Sequence, residues 1–174
     1  NNTTAVVQRF GNEVIIEAGT LHTLNELVSL EISYNGTAPA SAAFNGETGI
    51  YTATSPSWNV DATWTLSEPF FAHTWWPAKQ VLTDKIDSTE LIFTCADNLK
   101  VGSNGLLVSE ESLANNKTRF TWKSNYPIDY YLVSFAVAPY QDYSFKILPT
   151  GATDSLLIQN FIYDVPGYLN FFED

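Results

Sequence analysis

The sequence predicts an all-β fold, and three observations carry that reading. Short runs of β-branched and aromatic residues recur between turn signals, and in one of them, Val28–Tyr34, the apolar residues fall on every second position. Nowhere do apolar residues hold a 3.6-residue period for three turns. With 174 residues, 45% hydrophobic and 14% aromatic, the chain is long enough to bury a sizeable core, and a single domain over residues 1–174 is expected.

Val6-Val-Gln-Arg-Phe10 and Glu13-Val-Ile-Ile-Glu17 flank Gly11-Asn12, which is a hairpin pattern. In Val28-Ser-Leu-Glu-Ile-Ser-Tyr34 the alternation is strict, so a strand is predicted with Val28, Leu30, Ile32 and Tyr34 facing a core, followed by a turn at Asn35-Gly36. The stretch from Gly36 to Asn59, rich in Gly, Ser, Thr, Ala and Pro, reads as a surface crossing. Further strands are predicted at Gly49–Thr54, Thr63–Leu66, Thr89–Thr94, Leu106–Ser109 and Thr118–Lys123. Asp129–Val137 is a longer apolar run without clean alternation, which predicts a central strand covered on both faces. Leu156–Tyr163 makes a last strand before Pro166-Gly167. Ser103-Asn104-Gly105 lies between strands and reads as a hairpin turn that needs a positive φ at Asn104 or Gly105.

Composition excludes several functions. Eight basic against nineteen acidic residues give a net charge of −11, which repels phosphate backbones and supplies no counterion release, so no nucleic-acid partner is expected. Cys95 is the single cysteine and follows the apolar run Leu91-Ile-Phe93, where a small packed hydrophobe is expected rather than a redox centre. No run of eighteen apolar residues marks a membrane span. The chain has no methionine and opens on a polar stretch without a leader pattern, so a processed or excised segment is expected and export of the parent protein stays open. His22 and His73 are the only histidines; neither has a partner at zinc-ligand spacing, and no Gly-x-Ser-x-Gly elbow accompanies them. The nine glycines are scattered singly and form no phosphate loop.

The most informative stretch runs from Glu68 to Lys85, because it places Trp75-Trp76-Pro77 among charges in a loop-like setting. Two indoles can bury a few hundred Å² between them, on the order of several kcal/mol, so something packs against this segment. A core corner and a wall of a ligand site both satisfy that requirement.

The order of Glu68-Pro69, Trp75-Trp76-Pro77, Asp84-Lys85, Ser103-Asn104-Gly105, Trp122, Tyr126-Pro127-Ile128, Tyr131-Leu132 and Tyr140 resembles the amino-terminal domain of zinc aminopeptidases of the aminopeptidase N family. The resemblance runs over residues 6–163 and rests on several weak motifs in one order. It implies a saddle-like antiparallel β-sheet or sandwich domain that lacks its first strands, with the catalytic domain beginning just after Asp174. The family's His-Glu-x-x-His, its distant zinc-binding Glu and its Gly-x-Met-x-Asn loop are not in this sequence, so the resemblance implies no cofactor in this chain and zinc in the catalytic domain. The implied partners are that catalytic domain and the amino terminus of a peptide.

One family role falls on a residue of this chain. Nine residues before the proline of Trp-Trp-Pro the family carries a Gln or Glu that binds the free α-amine of the substrate, and counting back from Pro77 gives Glu68. A carboxylate suits an ammonium because a charge-assisted hydrogen bond is short and about twice as strong as a neutral one. The family often has Arg at the position of His73 and Cys at that of Ala78. His73 therefore implies a weaker or pH-dependent version of whatever the Arg pairs with.

The aromatic residues keep a second function open: an all-β binding module for carbohydrate or protein, with Trp58, Trp64, Trp75 and Trp76 as stacking platforms. A scaffold of the same family without catalysis is a third. With strands or a domain removed, the isolated fragment is expected to self-associate through an open sheet edge.

Overall fold

The computed structural model describes residues 5–17, 19–37, 48–56 and 59–163, and within them the chain is all-β. It forms two compact units, Asn1–Gly36 and Thr37–Asp174. No helix among the described residues is long and apolar enough to cross a membrane.

In the first unit β1 (Val6–Phe10) and β2 (Glu13–Glu17) form the predicted hairpin, paired from Val6↔Glu17 to Phe10↔Glu13. The predicted strand over Val28–Tyr34 does not form. The segment carries no strand assignment, and Val28, Leu30, Ile32 and Tyr34 are all exposed. Alternation makes a strand only where a neighbour takes up the backbone N–H and C=O groups, and among the described residues no strand pairs with this segment. Asn35-Gly36 likewise lies in irregular chain rather than a turn.

The second unit is a sandwich. Its four-stranded sheet has the order β3-β4-β9-β6, from β3 (Ile50–Thr54), β4 (Asp61–Thr65), β6 (Lys100–Ser103) and β9 (Phe135–Ala138). Its three-stranded sheet has the order β5-β8-β7, from β5 (Thr89–Ala96), β7 (Leu106–Leu113) and β8 (Lys117–Ser124). Strict alternation along β5 turns Leu91, Phe93 and Cys95 inward, beside Phe120 and Trp122 of β8. Val101, Phe135 and Val137 of the other sheet close the core from the opposite side. Trp122 brings a polar atom into this interior and satisfies it, its Nε1 donating to the Val101 carbonyl at 3.1 Å. Burial holds the Cys95 thiol above the usual cysteine range, in keeping with a packing role. The outer face of the three-stranded sheet is wet, with cross-strand pairs Glu90–Lys123 and Glu111–Arg119 that are exposed and contribute little.

Two predicted strands are broken in the structure. The run Asp129–Val137 begins as a 3-10 turn over Tyr130–Leu132, and only Phe135–Ala138 is strand, central between β4 and β6 as expected. Asn104 is the cause: its Oδ1 accepts from Ser134 N at 2.6 Å and its Nδ2 donates to the Leu132 carbonyl at 3.0 Å, taking backbone groups that a ladder would have used. The run Leu156–Tyr163 divides into β12 (Leu156–Ile158), which pairs with β11 (Phe145–Ile147), and β13 (Phe161–Tyr163), which pairs with β10 (Tyr140–Asp142). Asn160 sits at the break and is held there by Tyr143 and Ser144.

In the β10–β13 pair the Tyr140 ring lies 5.1 Å from that of Tyr163 and 6.4 Å from that of Phe161. Burial, then the charge of Tyr163 and a hydrogen bond to it, hold the Tyr140 phenol well above the usual tyrosine range. A folded-state pKa above the unfolded one means stability that is complete below the unfolded value, about 10, and lost as pH rises beyond it. Unfolding free energy should therefore decline above pH ~10, and Tyr140→Phe should flatten part of that decline. Urea titrations at several alkaline pH values check this; an unchanged slope in the variant would contradict it.

Candidate functional site

Glu68 follows β4 at a turn whose backbone is held on both sides. Upstream, Ser67 is 2% exposed and its Oγ accepts from Trp75 Nε1 at 2.9 Å. The Ser67 carbonyl also accepts from Phe71 N at 3.0 Å, which closes the turn over Glu68-Pro69-Phe70. Downstream, the Pro69 carbonyl accepts from the hydroxyl of Tyr130 at 2.9 Å, and Tyr130 itself is 2% exposed. The chain then runs through a 3-10 turn, Ala72–Thr74, where Thr74 Oγ1 donates to the Phe71 carbonyl and accepts from Gly49 N at 2.8 Å. Gly49 is required by proximity, since a Cβ there would stand 2.3 Å from the Phe71 carbonyl oxygen.

Held this way, Glu68 is exposed, and among the described residues its carboxylate has no hydrogen bond or ion pair. A fixed backbone carrying a free anionic group is an arrangement that can receive a cation. Phe70 beside it is also exposed.

The tryptophans serve mostly as packing. Trp75 lies edge-on to Phe135, with ring centroids 5.4 Å apart, and 6.0 Å from Trp76. It is half-buried, at the corner where the site turn meets the four-stranded sheet. Trp76 Nε1 is buried without a hydrogen-bond partner among the described residues. The departure at His73 also has a local account: its Nδ1 donates to the Phe70 carbonyl at 2.8 Å, and Gln80 Oε1 accepts from His73 N at 3.1 Å. Since a carbonyl only accepts, the proton sits on Nδ1. The other histidine, His22, pairs with Glu26 at 2.9 Å in the first unit.

Most of the scattered sequence motifs meet at residues 128–135. Lys85 pairs with Asp129 at 2.8 Å, which holds the ammonium above its usual range, and Ile86 and Ile128 exchange backbone hydrogen bonds. Tyr130 reaches Pro69, Asn104 takes Leu132 and Ser134, and Phe135 meets Trp75. Ser103-Asn104-Gly105 turns the chain with a positive φ at Gly105, but it is not the predicted hairpin: β6 and β7 lie in different sheets, so the segment crosses from one to the other, and the Asn104 side chain is the clamp that holds it. The sequence offers no signal for these tethers, because the partners of Ser103 and Asn104 lie about thirty positions away.

A separate open groove of about 470 Å³ is lined by Trp64, Gly102, Asn104, Ser134, Tyr140 and Tyr163, among others, and carries no charged side chain among the described residues. Of the four proposed stacking platforms only Trp64 lines it; Trp75 and Trp76 do not, and Trp58 lies outside the described residues. Glu68 is not part of this groove. The carboxylate on its tethered turn has the more specific chemistry of the two.

This sandwich is a fold that the chain shares with M1 zinc metallopeptidases. The M1 zinc metallopeptidase from Deinococcus radiodurans is similar over 61% of this chain and 24% of its own, with a TM-score of 0.52 and 16% sequence identity. A two-domain M1 zinc metallopeptidase variant bound to L-arginine is similar over 76% of this chain and 29% of its own, with a TM-score of 0.57 and 16% identity. The match thus covers only 24–29% of the length of these solved structures. No protein-family model and no curated protein matches the sequence.

Proposed function

We propose that this chain is the non-catalytic amino-terminal domain of a zinc-dependent aminopeptidase, and that Glu68 anchors the α-amine of the peptide substrate. The observation that carries the reading is an exposed, unpaired carboxylate on a turn tethered at Ser67, Pro69 and Phe71, in a fold shared with zinc metallopeptidases. Among the described residues no group of three or more His, Cys, Asp or Glu side chains is placed to hold a metal ion, so in this reading the zinc and the hydrolytic chemistry belong to the catalytic domain. Residues 1–174 act there as one β domain, with the catalytic domain as partner.

A carboxylate facing the substrate ammonium favours peptides with a free amino terminus, which selects removal of terminal residues over internal cleavage. A hydrogen bond between charged groups contributes about 1.5–3 kcal/mol. Glu68→Ala in the full-length enzyme should therefore lower kcat/KM for free-amine peptides by roughly tenfold to a hundredfold. Glu68→Gln, which keeps an acceptor without the charge, should fall between. Steady-state kinetics on an aminoacyl anilide checks this, and unchanged kinetics in the alanine variant would reject the assignment.

A further inference from the structure

We propose that Tyr130 is a positioning residue for Glu68, an inference that rests on the α-amine anchor proposed above. The Glu68 side chain can aim at a fixed point only if the backbone on either side of it is fixed. On the downstream side the pyrrolidine ring of Pro69 already locks φ. What remains free there is ψ of Pro69, and the bond from Tyr130 Oη to the Pro69 carbonyl at 2.9 Å holds it. On the upstream side the indole of Trp75 holds Ser67 through its hydroxyl at 2.9 Å. Only the torsions of Glu68 itself are left to be fixed by the substrate, and each restraint already in place lowers the ordering cost of binding.

Tyr130 is suited to this role because it is itself immobile. Its ring is 2% exposed and edge-on to Tyr131 at 5.7 Å. The 3-10 turn that carries it is bounded by the Lys85–Asp129 pair on one side and the Asn104 clamp on the other. The hydroxyl thus transfers the rigidity of the sandwich to a turn 61 residues earlier in the chain.

The test uses the full-length enzyme and two competitive inhibitors, an α-amino hydroxamate and its des-amino analogue. The ratio of their Ki values reports recognition of the amine alone. Tyr130→Phe keeps the ring and removes the hydroxyl; it should shrink that ratio about threefold to tenfold, the effect of one lost hydrogen bond, with the des-amino Ki unchanged. Glu68→Ala should collapse the ratio, and adding Tyr130→Phe to it should change nothing more. If Glu68→Ala leaves the ratio intact, the anchor reading itself fails. If Glu68→Ala collapses it while Tyr130→Phe leaves it intact, or raises both Ki values alike, the positioning role is overturned. Should Tyr130→Phe not fold, para-fluorophenylalanine at position 130, which keeps the ring and a substituent in place of the hydroxyl but cannot donate, carries the same comparison.

Discussion

Gly105→Ala should cost the second unit about 2–5 kcal/mol, a large share of the 5–15 kcal/mol that holds a typical domain together. Two penalties add. Gly105 has φ +88°, a conformation that costs a residue with a Cβ roughly 1–2 kcal/mol. The new Cβ would also stand 2.0 Å from the Lys123 carbonyl oxygen and 2.5 Å from its carbon, both backbone atoms that cannot rotate away. Relief requires β7 to move off β8, or the turn to open. Opening the turn shifts Asn104, and with it the clamp on Leu132 and Ser134 that starts β9. Urea denaturation followed by tryptophan fluorescence measures the loss. A midpoint close to that of the parent would show that the turn relaxes freely and that the Asn104 clamp is not coupled to it.

The second large effect is expected at Phe120. Its ring is 1% exposed at the centre of β8, packed with Val101 and Trp122 in the shared core of the two sheets. Phe120→Ala should cost about 3–5 kcal/mol, the transfer of the ring plus the cavity left between two sheets that cannot both collapse. The ammonium of Lys100 lies 5.9 Å from the ring centroid, and losing that contact adds about 0.5–1 kcal/mol. Ile92→Ala is the internal control: it lies on the neighbouring strand but is 58% exposed on the wet face, and should change stability by no more than about 0.5 kcal/mol. Equal losses in the two variants would mean that the inward and outward faces of this sheet have been assigned the wrong way round.

Much of the sandwich was legible because its pattern is local. β5 shows in its β-branched and aromatic run, although its two faces appear only in the structure, and Gly11-Asn12 marks the first hairpin without help from distant residues. Legibility ended where a pattern depends on a partner. Val28–Tyr34 alternates more strictly than β5 but pairs with nothing among the described residues, so a clean signal gives irregular chain. Asp129–Val137 is apolar enough for a strand, yet the amide of Asn104 captures its middle. Short strands such as β6 and β10–β13 carry too few residues for a period to show. At the site, Glu68 could be singled out only through its distance from Trp-Trp-Pro in a resembling family. Ser67, Gly49 and Tyr130 carried no signal, since a serine, a glycine and a tyrosine become tethers only once the fold has brought them to the turn.

The convergence on residues 128–135 also constrains how such a sequence can drift. Three stretches that are far apart in the chain, around positions 69, 85 and 104, each answer to this one eight-residue segment. A change within it is felt by all three at once, so tolerated changes should come as matched pairs. Asp129 would change together with Lys85, and Ser134 together with Asn104, while Tyr130 would stay tied to the Pro69 carbonyl, the one backbone hydrogen-bonding group a proline has. Lineages of related sequences would then carry these distant positions as linked characters, with the anchor turn inheriting its shape from residues it does not contain.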